Sequence, residues 1–543
     1  MQKSNKYLLP LLFAVTLAAG MLIGTKMDIG LNQKVLQSKN DKFNEVLNYI
    51  TSSYVDTINE DVIIDDAITK MLLNLDPHSY YIPAIDMAEV TQDLEGDFEG
   101  IGIEFNILND TIIVVTPIAG GPSEQRGILA GDKIIYINNE LVAGKGISNT
   151  GVRKHLLGKK GTEVKIKILR KNVPALIEFK IVRDKIPLVS IDASYLIDKN
   201  TGYIKINRFS AKTASEFKTA LFTLINQGMK NLILDLSGNP GGYMDAAIEI
   251  CDQFFNTRKL IVYTEGRQRA RRDYYSDISS MLPHGRLVVI IDEGSASASE
   301  ILAGAIQDWD RGVILGRKSF GKGLVQEPFT LSDNSSVRLT VARYYTPSGR
   351  FIQKPYKNGT EEYYKEMFIR YQHGEFYAPD SIVFPDSLKY KTHNGRTVYG
   401  GGAIMPDVFI SLDTSLNSNF LRELISNSIF NNFSIQYIDK NREYLQKVYP
   451  DLSAFKNKFK SETIIDEFLE FADKNDVQIN DNDYNRSKPI IFNNLKAIIA
   501  RQLYGDDAFY VIVNRYNEMF NKAYEVINSK QYDALLQVKI KNN

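Results

Sequence analysis

The chain has 543 residues, and Lys+Arg and Asp+Glu both number 65, so no bulk charge points to nucleic acid. A hydrophobic share of 44% supports real cores, and the length suits three or four domains. The single cysteine, Cys251, excludes an internal disulfide, and scattered histidines without H-E-x-x-H or a Cys–His cluster give no sign of zinc.

Lys3 and Lys6 precede an uncharged run from Tyr7 to Ile23, the pattern of an export signal. Ala18-Ala19-Gly20 offers small residues for cleavage, whereas Met21-Leu22-Ile23 prolongs the run to near spanning length. Both a cleaved signal and an uncleaved anchor remain open, and either places the body outside the cytoplasm. No cysteine lies nearby, which excludes a lipoprotein anchor.

Residues 40–92 read as helical, with Phe43, Val46, Leu47 and Ile50 in phase and Ile64, Ala67, Ile68 and Leu72 in phase again. Leu75-Asp76-Pro77-His78-Ser79 breaks the pattern at its proline. Residues 95–184 read as a compact β-rich module. Gly100-Ile101-Gly102-Ile103-Glu104-Phe105 leads into a strand, Gly131 to Asn138 is a turn and strand, and Thr150–Leu157 suits a short helix. This module resembles a PDZ domain, with GIGIEF as its carboxylate-binding loop and following strand. Such domains add an extended peptide to a sheet edge. Gly102, Ile103 and Phe105 are then the peptide-binding candidates, and an internal brace is the alternative role.

Residues 190–260 return to an α/β pattern. The buried strand Leu232–Leu236 runs into Ser237-Gly238-Asn239-Pro240-Gly241-Gly242 and a helix from Met244 to Phe254, which makes an anion site. The loop lacks the G-K-[ST] of a P-loop and any G-x-G-x-x-G. Cys251 shares a helical phase with Ala247, Ile248 and Phe254 and reads as core.

Leu287–Ile291 is a continuous apolar run, hence a buried strand of a largely parallel sheet. Ser295, Ser297 and Ser299 follow at alternate positions, and then a helix with Ile301, Leu302, Ala305 and Ile306 on one face. After a second strand comes Phe320-Gly321-Lys322-Gly323. A serine at a strand-to-helix junction has free backbone N–H groups beside it that suit an oxyanion, and a buried lysine can lose its charge and act as base. The competing reading is a capping box, since Ser297-Ala298-Ser299-Glu300 fits S-x-x-E and Lys322 would then be a solvated turn residue.

GSASASEILAGAIQD followed by GRKSFGKGLVQ resembles the carboxy-terminal processing peptidases, or tail-specific proteases. The resemblance implies a serine endopeptidase with Ser297 as nucleophile, Lys322 as general base and Gln326 orienting that lysine. It places NPGG in the oxyanion hole, through an N–H of Gly241 or Gly242 together with Ala298. LDPHS also recurs in that family, and His78 reads as structural because Lys322 fills the base role. The PDZ domain would receive and gate protein substrates by their C termini, and no metal or organic cofactor is implied.

Val337–Tyr344 alternates as a strand, and Tyr399 to Asp407 matches the family as structural closure. Residues 352–392 look like an inserted region without an assigned role. Residues 415–543 are mostly helical, with Leu495, Ile498, Ile499 and Leu503 on one face. Dimerisation, packing on the core and binding of an adaptor or activator all stay open for them. The implied fold is an α/β multidomain chain: signal or anchor (1–24), helical region (25–94), PDZ domain (95–184), crotonase/Clp-like α/β protease core (185–412) and helical C-terminal region (413–543). The expected location is the periplasm, free or tethered to the inner membrane by the N-terminal segment. A silent PDZ scaffold and an ester or lipid hydrolase are the rival classes. The first is disfavoured by the retained Ser297, Lys322 and Gln326, and the second by the peptide-holding module.

Overall fold

The computed structural model describes residues 8–26, 31–118, 120–171, 173–382 and 385–537, so Lys3 and Lys6 lie outside the described residues. The chain divides into two compact units, 1–71 and 72–543. The first is helical, with helices Leu8–Lys26 and Leu31–Ser53. Leu12, Phe13, Val15, Leu17 and Met21 are exposed. Among the described residues no helix is long and apolar enough to cross a membrane.

The second unit is built on a six-stranded sheet. Its order is Ile191–Leu196, Thr201–Ile206, Asn231–Asp235, Leu287–Ile291, Val313–Gly316 and Val408–Phe409. The first pair is antiparallel and the others are parallel. Parallel strands need both faces covered, which explains why Leu287 to Ile291 are apolar throughout and all 0% exposed. Leu287, Val289 and Ile291 face one core, with Phe217, Leu221, Ile250, Leu302 and Ile306 from the helices Thr213–Asn226, Met244–Cys251 and Ala298–Asp308. Cys251 lies in that core, fully buried. Val288 and Ile290 face a second core, completed by Phe520, Ala523, Val526 and Ile527 of the helix Glu518–Asn528. The tail is pinned there by Tyr532, whose hydroxyl accepts the Leu287 N–H at 3.0 Å. Part of the C-terminal region therefore packs on the core.

A second sheet joins Tyr80–Ile82, Ser336–Tyr345, Leu260–Gly266 and Arg269–Tyr275 in that order, with Leu324–Thr330 also paired to Ser336–Tyr345. The PDZ module is a separate antiparallel sheet around Ile112, Val114, Ile134, Ile166 and Ile181, under the helix Asn149–Leu156. Its strand Ile103–Leu108 lies at the sheet edge. Asp97–Gly100 pairs with Asp184–Pro187 where the chain enters and leaves it. The helices from Asn419 to Val513 build their own core around Phe430, Phe455, Phe468, Leu495 and Ile499. They also touch the PDZ sheet. Ile435 packs with Leu108 and Ile113, and Arg501 makes two hydrogen bonds to Glu104, at 3.1 and 3.2 Å.

Candidate active site

The strand Leu287–Ile291 ends at a turn in which the three alternate serines take different roles. Ser295 is buried, and its hydroxyl donates to the Leu236 carbonyl at 2.8 Å. Ser299 is buried and donates to the Asn239 carbonyl at 3.0 Å. Both fasten the turn to the glycine loop. Ser297, between them, is half-buried and has φ 55° and ψ −113°. An ordinary helix cap sits in the extended region. A serine at positive φ stores strain of about 1–3 kcal/mol, as functional turns often do.

The capping box is nevertheless present. The Glu300 carboxylate accepts the Ser297 N–H at 2.9 Å. Glu300 is 0% exposed and takes three more hydrogen bonds, from Ser319 Oγ (2.5 Å), Gly321 N–H (2.8 Å) and Lys322 N–H (2.8 Å). The N–H groups of Ser297 and Lys322 meet on the same oxygen, Oε2. Burial pushes the Glu300 carboxyl up to about 7, against the pull of these hydrogen bonds. Tyr344 adds a second link, because its hydroxyl lies against the carbonyls of both Ser297 (3.1 Å) and Lys322. The Glu300 carboxylate thus holds the Ser297 backbone at the helix start, which the cap and the nucleophile readings of this serine both require.

Burial lowers the pKa of the Lys322 amine, and the Arg338 charge lowers it further, while Glu300 and Asp76 pull the other way. Gly321 has φ 89°, and the Gly323 N–H donates to Gln353 Oε1 at 2.8 Å. The Gln326 amide donates to Thr340 Oγ1 at 3.3 Å, and Thr340 Oγ1 donates to Asp76 at 3.1 Å.

The loop Ser237–Gly242 runs against the serine turn. A Cβ on Gly241 would lie 2.6 Å from the Ala296 carbonyl, 2.7 Å from Ser297 Cβ and 2.9 Å from the Ala298 nitrogen, so only glycine fits. The Gly241 N–H donates to Asn239 Oδ1 at 2.9 Å. The N–H groups of Gly242 and of Ala298, the first residue of its helix, have no partner among the described residues. The Ala298 donor directly follows Ser297, and the Gly242 donor follows the glycine that packs on it.

In the PDZ module Gly102 has φ 74°, and its carbonyl accepts the Ile118 N–H at 3.0 Å. Ile103 and Phe105 pack partly buried against the module's core. Among the described residues no cluster of His, Cys, Asp or Glu could hold a metal.

Several residues of the site escaped the sequence reading. Glu300 was visible only as a cap, and Tyr344 only as a strand residue. Gln353 and Tyr363 sat in a stretch without period. His78 Nε2 lies 2.8 Å from the Tyr363 hydroxyl, and burial and the nearby Lys322 lower its pKa to about 3.

Residues 200–362 match the model of peptidase family S41, and residues 100–181 match a PDZ domain model. Residues 420–505 match a family of unknown function. The chain is 36% identical over 343 residues to a carboxy-terminal-processing protease of Bartonella bacilliformis, covering 62% of this chain and 78% of that one. It is 35% identical over 317 residues to the carboxy-terminal processing protease CtpB of Bacillus subtilis, covering 58% and 65%. A solved structure of a photosystem II D1 C-terminal processing protease is 30% identical, covering 56% of this chain and 82% of that one, with a TM-score of 0.32.

Proposed function

Since the chain belongs to the carboxy-terminal processing proteases, serine peptidases of family S41 that here carry a PDZ domain, we propose that it cuts exported proteins near their C termini with a Ser297–Lys322 dyad. The observation that carries this reading is the shared Glu300 oxygen, which brings the two backbones together. The burial that disfavours charge on the lysine supports it further.

In this reading neutral Lys322 takes the Ser297 hydroxyl proton as the oxygen attacks the scissile carbonyl. The Gly242 and Ala298 N–H groups hold the oxyanion, with Gly241 permitting the close approach. Lys322 passes its proton to the leaving amine, and water then resolves the acyl-enzyme with Lys322 again as base. Gln326 helps to orient the lysine. The substrate's C-terminal residues add to the edge strand Ile103–Leu108, with Gly102, Ile103 and Phe105 at the carboxylate end. The place of action is outside the cytoplasm, in the periplasm, reached through the N-terminal segment.

The test is cleavage of an unfolded model protein by the full chain, beside Ser297→Ala and Lys322→Ala, with circular dichroism on all three. Loss of cleavage in two folded variants supports the dyad, and a Ser297→Ala variant that cuts like wild type overturns it. A substrate with an amidated C terminus should be cut more slowly than its free-acid twin if the PDZ domain captures carboxylates.

A further inference from the structure

Two hydrogen-bonded arms run from the turn Asp76–Ser79 to Gly323 and Gln326, one and four residues after Lys322. Asp76 is 8% exposed. Its carboxylate accepts the N–H groups of His78 (2.8 Å) and Ser79 (2.9 Å) and the Ser79 hydroxyl (2.6 Å), which fold the turn on itself. It also accepts the Thr340 hydroxyl at 3.1 Å, and Thr340 Oγ1 accepts the Gln326 amide at 3.3 Å. The Thr340 N–H returns to Ser79 Oγ at 3.1 Å. This first arm ends on the side chain four residues after the lysine.

The second arm starts at His78. His78 Nε2 is hydrogen-bonded to the Tyr363 hydroxyl at 2.8 Å, the two rings standing edge to face with centroids 5.2 Å apart. Tyr363 is 2% exposed and accepts from Gln353 Nε2 at 3.3 Å. Gln353 Oε1 in turn accepts the Gly323 N–H at 2.8 Å, one residue after the lysine. Tyr363 and Gln353 come from the stretch 352–392, which thus contributes two residues beside the lysine segment.

We propose that the Asp76–Ser79 turn is a positioning element for the general base, Asp76 holding Gln326 through Thr340 while His78 holds Gly323 through Tyr363 and Gln353. The proposal rests on Lys322 being that base. None of these residues touches the reacting atoms. They act by fixing where the amine stands, and a base misplaced by about 1 Å loses on the order of a hundredfold in rate. The charged and titratable groups around the amine are Glu300, Asp76, His78 and Arg338. An amine that drifts from its dry position is better solvated and keeps its proton to higher pH.

Thr340→Val and Tyr363→Phe each delete one hydroxyl at nearly constant shape. Each should lower kcat roughly tenfold with KM within about twofold, and should move the acid limb of the kcat–pH profile to higher pH. Thr340→Ser should restore both. Active-site titration and thermal melting accompany each variant. Wild-type kcat and an unmoved profile in both folded variants would overturn the proposal. So would a loss explained wholly by fewer titratable sites with the profile unchanged. Lys322→Ala separates the levels: cleavage by that variant sinks the dyad itself, whereas an inert Lys322→Ala beside unaffected Thr340→Val and Tyr363→Phe sinks only the positioning role.

Discussion

In the proposed mechanism two glycine loops present backbone N–H groups to a peptide, and the space around their glycines differs. At Gly241 an added Cβ would meet the Ala296 carbonyl at 2.6 Å and Ser297 Cβ at 2.7 Å, and at Gly242 it would meet the Phe209 carbonyl oxygen at 2.1 Å. Two of these obstacles are main-chain oxygens, which cannot step aside. At Gly102 of the PDZ module the nearest obstacle is Ile186 Cδ1 at 2.9 Å, the far end of a flexible side chain. An oxyanion hole must be in place before charge develops, whereas a binding edge can adapt as the ligand arrives. The difference separates rigidity needed for bond-making from looser geometry that suffices for capture.

The largest effect that would sharpen this contrast lies at the chemistry. Ser297→Ala should lower kcat by roughly 10⁴-fold or more while leaving binding of a free C-terminal peptide unchanged, read by single-turnover kinetics and fluorescence anisotropy. Gly241→Ala should cost on the order of 10²–10³ in kcat, because the loop must move off Ser297. Near-normal kcat in a folded Gly241→Ala would break the comparison. Gly102→Ala, strained by its φ of 74°, should act on the other side of it. Its expected effect is a rise in KM of roughly tenfold, from about 1–2 kcal/mol of backbone strain, with kcat unchanged.

A smaller effect concerns pH. The Glu300 carboxyl is raised to about 7, so its contribution to stability is complete below the ordinary carboxylate value and is lost as pH rises through about 7. His78 is depressed to about 3, so its contribution is present above the ordinary imidazole value and is lost as pH falls through about 3. Below the ordinary carboxylate range Glu300 has no more to add, and His78 alone of the two still changes. Thermal midpoints should fall over that interval, and His78→Gln should flatten the fall. The smallest effect belongs to Arg501→Ala, which removes a half-exposed pair with Glu104 and should cost under about 1 kcal/mol by denaturant titration.

The parts of the fold legible in the sequence were those with local signatures. The apolar run Leu287–Ile291, the glycine turn at Asn239–Gly242 and the S-x-x-E start at Ser297 each announce an element through neighbouring residues. Family resemblance then supplied roles that spacing left open. What stayed hidden were contacts between distant residues without periodicity. Tyr344 reaches both Ser297 and Lys322 through one hydroxyl, and nothing in an alternating strand marks that one tyrosine. Gln353 and Tyr363 reach the lysine segment from a polar, aromatic stretch whose value lies in single hydrogen bonds. The same holds for Phe520, Ala523, Val526 and Ile527. Their amphipathic helix predicts burial but not the surface it meets, which is the far face of a sheet whose central strand lies more than two hundred residues earlier.

That last pairing bears on the order in which the polypeptide emerges during synthesis. A nascent chain that has reached residue 500 already holds Ser297, Lys322 and the glycine loop, yet Tyr203, Ile233, Val288 and Ile290 still lack the helix Glu518–Asn528 that covers them. One side of the catalytic sheet stays wet until that late segment arrives. A chain stopped before Glu518 therefore leaves Val288 and Ile290 bare on the strand that leads into Ser297, so the turn carrying that serine takes its final support from residues more than two hundred positions downstream.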